Sequence, residues 1–125
     1  MRLWPIKLLD KLPRQQLLGQ HRECCALRGL GWGRKHATVD YVFRHPYVYL
    51  YEYHRAVMEE MRRRGSKPSS EWFDLSYRGR HLGHEYSDFT MQRAEHEDCI
   101  YPEHDAKYVQ ECLDNLARKG IQLED

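Results

Sequence analysis

Residues 13–36 of the chain read PRQQLLGQHRECCALRGLGWGRKH, and this stretch decides how the first half folds. Pro13 suits the first turn of a helix, because the N–H group that proline lacks has no helical partner there. From Pro13 to Arg28 the apolar side chains recur at helical spacing, which predicts an amphipathic helix. The predicted apolar stripe comprises Leu17, Leu18, His21, Cys24 and Cys25.

A single carboxylate, Glu23, lies on the other side of this predicted helix. Its neighbours on that side are Gln16, Gly19 and Ala26. Gly19 and Ala26 have almost no side chain, so another stretch of backbone can approach the helix closely there. Spacing alone, however, favours the simpler interpretation, a solvated glutamate on an ordinary outer face.

A glycine-rich turn follows the helix and leads into Arg34, Lys35 and His36. The glycines that break the helix are Gly29, Gly31 and Gly33. Their spacing differs from the phosphate-binding loop of nucleotide hydrolases and from the dinucleotide fingerprint, and the strand–turn–helix context is missing. Backbone N–H groups and cationic side chains at such a turn can still bind phosphates.

Two further helices are predicted downstream. Residues 46–65, PYVYLYEYHRAVMEEMRRRG, open with alternating tyrosines as a strand does, but their length favours a helix that ends at Gly65. Its apolar stripe comprises Tyr47, Leu50, His54, Val57, Met58 and Met61. We interpret His54 as a hydrogen-bonded core histidine. Short helical turns are expected within residues 66–101, and a last helix is predicted from Pro102 to Lys119.

The composition is that of a soluble globular protein. At 125 residues we expect one domain, residues 1–125, with an all-α fold: a single compact domain of three main helices with long connecting loops. No apolar run approaches the roughly 18 residues of a membrane span, and no signal peptide is evident, so we expect a cytosolic protein. The four cysteines form no CxxC pair and are expected to be reduced. The eight histidines show no complete metal-ligand set, so no metal is expected.

The charges are distributed unevenly along the chain. Residues 1–64 carry 13 Lys and Arg against 6 Asp and Glu, a net charge of +7, whereas residues 65–125 carry 7 against 13, a net charge of −6. This asymmetry points to a basic face in the first half, which is typical of proteins that bind a polyanion. The alternative is a structural or partner-binding domain whose two halves neutralise each other, and it predicts no salt-dependent affinity for DNA.

Several short segments of this chain form a set that can be compared with known families. They are the opening Met1-Arg2-Leu3, the helix Leu12–Glu23 ending in Arg22-Glu23, Gly29, Arg34-Lys35-His36 and Arg64-Gly65, with a weaker similarity at Tyr101-Pro102 and the final helix. In these segments the chain resembles the pyrimidine-dimer DNA glycosylases, the small phage and algal enzymes called endonuclease V. It resembles their uncharacterised bacterial relatives more closely.

The resemblance implies a mainly helical fold in which the N-terminal segment is threaded between helices. The α-amine of Met1 would then stand beside Glu23 and Arg22, attack C1′ of a damaged nucleotide, expel the base and leave a Schiff base. Glu23 would assist strand cleavage by β-elimination. An α-amine has a reference pKa of about 7.7–8.0 against about 10.4 for lysine, so it is the easier amine to deprotonate at neutral pH. Because Arg2 is bulky, we expect Met1 to be retained.

The same resemblance implies double-stranded DNA with a damaged or modified base as the partner of a monomer that needs no cofactor. The implied DNA contacts are Arg2, Gln15, Gln16, Arg34, Lys35 and His36. Three departures from the family pattern stand out: Gln16 replaces a histidine, Ala26 replaces a second helix arginine for which Arg28 is a possible substitute, and the chain ends in the acidic GIQLED. The chemistry can therefore be kept while the recognised lesion differs. The alternative function is a non-catalytic nucleic-acid-binding helical module.

Overall fold

The structure is a computed structural model that describes residues 3–29, 45, 47–80, 83 and 100–121. It contains three α-helices, which are α1 (Arg14–Arg28), α2 (Tyr47–Arg63) and α3 (Ala106–Arg118). Two short 3-10 helices span Ile6–Lys11 and Ser70–Phe73, and the described residues form no strand. The prediction of an all-α fold with three main helices is therefore confirmed.

Helix α1 begins at Arg14, one residue after the predicted start, with Pro13 as its N-cap, and its buried face differs from the predicted stripe. Its buried residues are Leu17, Gln20, Cys24, Leu27 and Arg28. Leu18, His21 and Cys25 are only half-buried. The face is rotated towards two polar residues, Gln20 and Arg28, because both find hydrogen-bond partners inside the protein and so lose little on leaving water.

Helix α2 buries all six residues of its predicted apolar stripe. After its last residue the backbone N–H of Gly65 donates to the carbonyl of Arg62, and the N–H of Ser66 donates to that of Met61. This pair of bonds requires a left-handed backbone conformation at the residue that donates the first of them, and Gly65 has a φ of 90°. The predicted glycine cap is confirmed.

Helix α3 begins later than predicted. Pro102 does not open it; the helix starts at Ala106, and the Asp105 carboxylate caps it by accepting from the Tyr108 N–H at 2.9 Å. An aspartate side chain accepts a hydrogen bond from one of the free N–H groups of the first turn. A proline side chain has no acceptor and cannot do so. The helix ends at Arg118, one residue before the predicted end at Lys119, and Gly120 follows with a φ of 81°.

The core is one continuous cluster that joins all three helices and the segment before α1. From that segment the core takes Leu3, Trp4, Leu8, Leu9 and Leu12. The expectation of an N-terminal segment threaded between helices is thus confirmed. No helix in the described part of the chain combines the length and the apolar character needed to cross a bilayer.

Gly29 ends α1 at a point of close backbone approach. A Cβ at this position would lie 3.0 Å from the Arg78 carbonyl oxygen and 3.2 Å from that of Cys25, so a larger residue requires these backbone groups to move by a few tenths of an ångström. Gly29 thereby lets the segment around Arg78 pack against the end of α1. Cys24, Cys25 and Cys112 are free thiols, in line with the expected reduced state, and Cys99 lies outside the described residues.

Candidate active site

Four predicted site residues share one side of α1. At about 100° per residue, positions 15, 16, 22 and 23 fall within an arc of about 120°, with Gly19 between them. Gln15 and Arg22 are exposed, whereas Gln16 and Glu23 are half-buried. The helix therefore presents one carboxylate, one guanidinium and two amides together at its surface.

The remaining predicted site residues lie outside the described part of the chain. They are Met1, Arg2, Arg34, Lys35 and His36. The roles assigned to all of these residues stay predictions.

The chain start is attached to α1 beside the Glu23 side of the helix. The Trp4 backbone N–H donates to Gln20 Oε1 at 2.9 Å. The Tyr53 hydroxyl, from α2, lies 2.5 Å from the Trp4 carbonyl oxygen and 2.6 Å from Gln20 Oε1, so its single proton serves two acceptors. Gln20, which holds the Trp4 peptide, lies three residues before Glu23, about one helical turn away on the same helix.

The third helix also contacts the chain start. The Tyr108 hydroxyl donates to the Leu3 carbonyl oxygen at 2.7 Å, and Lys119 Nζ lies 5.7 Å from the centroid of the Trp4 ring. Gln20, Tyr53 and Tyr108, which we call the chain-start clamp, therefore hold two successive residues from three different helices. Sequence reasoning missed all three, although a glutamine in the middle of a buried helical stripe is a usable signal.

The close backbone approach that the small residues predict is not found at Gly19 within the described residues. Apart from the backbone of α1 itself, the described atom nearest to a Cβ at Gly19 would be Arg22 Nη2, at 3.9 Å. The chain start instead meets α1 through the Gln20 side chain, which is long enough to reach the Trp4 backbone.

Residues 1–74 match the family model described as pyrimidine dimer DNA glycosylase. This region is more than half of the chain and contains every predicted site residue, along with Gln20 and Tyr53 of the clamp. The chain belongs to this glycosylase family. Family membership makes it a DNA-repair glycosylase with damaged DNA as its substrate class. Comparison with the curated proteins and with the solved structures gives no match.

On the other flank of α1, this glycosylase buries an arginine completely. Arg28 is 0% exposed, and each of its five N–H donors has an acceptor. The acceptors are the Tyr47 hydroxyl, His54 Nδ1 and the carbonyl oxygens of Trp72, Asp74 and Tyr77, at 2.7–3.2 Å. Arg28 is therefore not a substitute for the family's second helix arginine, because its guanidinium is enclosed and fully hydrogen-bonded.

Arg28 fixes the tautomer of the neighbouring histidine. A guanidinium only donates, so His54 Nδ1 accepts from it, and the ring proton of neutral His54 is assigned to Nε2, 2.8 Å from His21 Nδ1. Burial, reinforced by the Arg28 charge, lowers the pKa of His54 to about 2 and keeps the ring neutral. His54 is thus a hydrogen-bonded core histidine, as predicted.

His21, Cys25 and His54 form the one group of potential metal ligands among the described residues, with ligand atoms within 4.8 Å of one another. A metal on His54 Nε2 needs the ring proton on Nδ1, where it would face the Arg28 donor 2.9 Å away. Burial also raises the pKa of Cys25 to about 11, which opposes the thiolate that a metal requires. The donor set does not fit a metal in this arrangement.

Proposed function

We propose that this chain is a DNA N-glycosylase with associated abasic-site lyase activity, which attacks pyrimidine-type damage in duplex DNA with the α-amine of Met1. The observation that carries the proposal is the bond between the Trp4 N–H and Gln20. Glu23 stands three residues further along α1, a rise of about 4.5 Å. Three residues of extended chain span at most about 11 Å, so an amine at residue 1 can reach the Glu23 carboxylate.

The chemistry needs no external oxidant or reductant. The amine nitrogen bonds to C1′ as the glycosidic C–N bond breaks, and the base leaves with the electron pair and takes a proton. The sugar ring then opens to an imine as O4′ leaves C1′ and is protonated. Loss of a C2′ proton expels the 3′-phosphate, and water finally hydrolyses the imine to return the free amine.

The described residues of α1 have distinct roles in this scheme. Glu23, half-buried, stabilises positive charge on the sugar and carries the proton from C2′. Arg22, exposed beside it, binds a phosphate, and Gln15 and Gln16 contact the groove or the extruded nucleotide. Together with Arg2, the triplet 34–36 supplies the other phosphate contacts.

The first experiment traps the imine with borohydride on a duplex that contains one abasic site. The wild-type chain is expected to form a stable crosslink. Glu23→Gln is expected to lower strand cleavage about 100-fold or more with unchanged or tighter DNA binding, because one negative charge near the phosphates is removed. Glu59→Gln makes the same charge change at an exposed position of α2 and should behave as wild type. Unchanged cleavage by Glu23→Gln would rule out its role.

A second experiment addresses the nucleophile. Two extra residues before Met1 should abolish crosslinking, because they displace the amine, whereas the same two residues after Asp125 should not. Mass spectrometry of the trapped adduct should place it on residue 1. A crosslink on a lysine, or full activity of the N-terminally extended chain, contradicts the proposal. Salt-dependent DNA binding without any crosslink would instead support the non-catalytic binding module.

A further inference from the structure

We propose that the chain-start clamp, Gln20, Tyr53 and Tyr108, is a set of positioning residues that fixes the attacking amine relative to Glu23. The inference rests on the proposed function above. The three residues do not contact the reacting atoms in this scheme; they act through the backbone of Leu3 and Trp4.

Each member of the clamp restrains a different backbone group. Gln20 holds the Trp4 N–H and sets its position along α1, on the same helix as Glu23. Tyr53 holds the Trp4 carbonyl from α2, and Tyr108 holds the Leu3 carbonyl from α3. These bonds fix the orientation of the peptide groups on either side of Trp4, and with them the Leu3 Cα from which the chain continues towards residue 1.

Attachment alone does not require these bonds. The side chains of Leu3 and Trp4 are 0% and 4% exposed, so burial already anchors the segment to the core. What hydrogen bonds add to apolar packing is orientation, because they are directional and burial is not. Orientation matters for this reaction, since a displacement of about 1 Å at the reacting atoms can cost about 100-fold in rate.

Tyr108→Phe tests the clamp, and the chain offers a closely matched control. Tyr108 and Tyr51 are both half-buried, and each donates its hydroxyl to a backbone carbonyl, Tyr108 to Leu3 at 2.7 Å and Tyr51 to Phe73 at 2.6 Å. Each Phe variant therefore loses one bond of the same type and should lose similar stability. Only Tyr108→Phe loses a bond to the chain start.

We expect Tyr108→Phe to slow borohydride crosslinking and strand cleavage at saturating DNA about tenfold, with the Kd for DNA unchanged. Tyr51→Phe should stay within about twofold of wild type in the same assays. Equal losses in the two variants would reduce the clamp to a structural role and overturn the inference. Wild-type rates in Tyr108→Phe would overturn it as well, while leaving the proposed function in place.

Hydrogen exchange at the Trp4 amide supplies a readout that does not depend on catalysis. Gln20→Met removes the acceptor of this N–H, and Tyr108→Phe removes the bond that holds the preceding carbonyl. In both variants we therefore expect the Trp4 amide hydrogen to exchange about tenfold faster or more. Tyr51→Phe should leave that rate unchanged. If the wild-type chain forms no crosslink, the proposed function fails and the positioning role fails with it. If the Trp4 amide exchanges as in an unfolded chain, the clamp itself does not exist.

Discussion

Two polar residues on the buried face of α1 each hold the backbone of another segment, Gln20 from the middle of the helix and Arg28 from its last residue. We call these two regions the chain-start end and the Arg28 end. Gln20 holds the backbone at Trp4, before the helix, and Arg28 holds carbonyl groups of the segment 72–77, far beyond it. Neither of these two segments forms an α-helix or a strand whose hydrogen bonds would satisfy all its backbone groups. Side chains from the helices therefore form hydrogen bonds with those groups. A helix with a polar buried face thus fixes irregular segments that an apolar helix would leave unpaired.

The two ends differ in how the hydrogen bonds are distributed. At the chain start they come from three neutral side chains on three helices. At the other end a single guanidinium makes five, and no carboxylate of the described residues forms an ion pair with it. The rings of Tyr47, Tyr51 and Trp72 lie 4.9–6.0 Å from Arg28 Cζ and face its charge. We therefore expect each single substitution in the clamp to remove only part of the hydrogen bonding there, and a substitution of Arg28 to cost much more stability.

Arg28→Lys is the largest expected effect. Lysine keeps the charge but has three donors instead of five, so at least two buried acceptors lose their partner. We expect the free energy of unfolding to fall by about 3–5 kcal/mol in urea titrations. Arg14→Lys, an exposed position of the same helix, should change it by less than about 0.5 kcal/mol. A loss of under 1 kcal/mol in Arg28→Lys would mean that the fork geometry is unimportant.

The sequence allows some of these features to be predicted and not others, for a physical reason. The stripe of α2, its cap at Gly65 and the shared face of Gln15, Gln16, Arg22 and Glu23 follow from local helical spacing. The burial of Gln20 and Arg28 does not. Their burial depends on hydrogen-bond partners that lie 16 to 49 residues away along the chain, and no local sequence pattern predicts that the fold brings these partners into contact.

The late start of α3 is a different kind of miss. A proline at residue 102 and an aspartate at residue 105 are both helix-start signals, and spacing gave no reason to prefer either. The structure shows the Asp105 carboxylate bonded to the Tyr108 N–H, so the side chain with an acceptor sets the start. Prediction of the site was therefore best where it depended on one helix and poorest where several elements meet.

Acidic pH should weaken both ends, since each holds a buried neutral histidine. Burial lowers the pKa of His54 to about 2 beside Arg28, and that of His104, which stacks on Tyr108 with ring centroids 4.8 Å apart, to about 4. Between the unfolded-state pKa of about 6.5 and about pH 4, the unfolded chain takes up these protons and the folded protein largely does not. Stability is therefore complete above pH 6.5 and falls as the pH drops, by about 2 kcal/mol per histidine at pH 5.

His104→Phe separates the contribution of the chain-start end. Phenylalanine keeps an aromatic ring against Tyr108 and removes the titration, so the loss of stability between pH 7.5 and pH 5 should shrink by about 2 kcal/mol in urea titrations. Tyr51→Phe, which leaves both histidines in place, should keep the full wild-type dependence. An unchanged pH dependence in His104→Phe would show that this histidine is protonated in the folded protein.

Gln20→Met is expected to cost less stability than Arg28→Lys, about 1–2 kcal/mol, because two bonds to neutral groups are lost and the volume is kept. Its effect on strand cleavage should exceed its effect on stability, with a fall of about tenfold or more in fully folded protein. Gln110→Met, on the exposed side of α3, should change neither quantity. A large loss of stability with full activity would reverse the comparison of the two ends.

The smallest expected effect is that of zinc on the cluster His21, Cys25 and His54. Because Arg28 donates to His54 Nδ1, binding of zinc to Nε2 requires that bond to break and the buried guanidinium to lose an acceptor. The zinc-induced change in Tm should therefore differ by less than about 1 °C between wild type and Cys25→Ser, whatever zinc does elsewhere on the chain. A zinc-induced stabilisation present in wild type and absent in Cys25→Ser would mean that Arg28 can lose its bond to His54 while His54 binds the metal. The arrangement around Arg28 would then tolerate change more readily than the chain-start clamp.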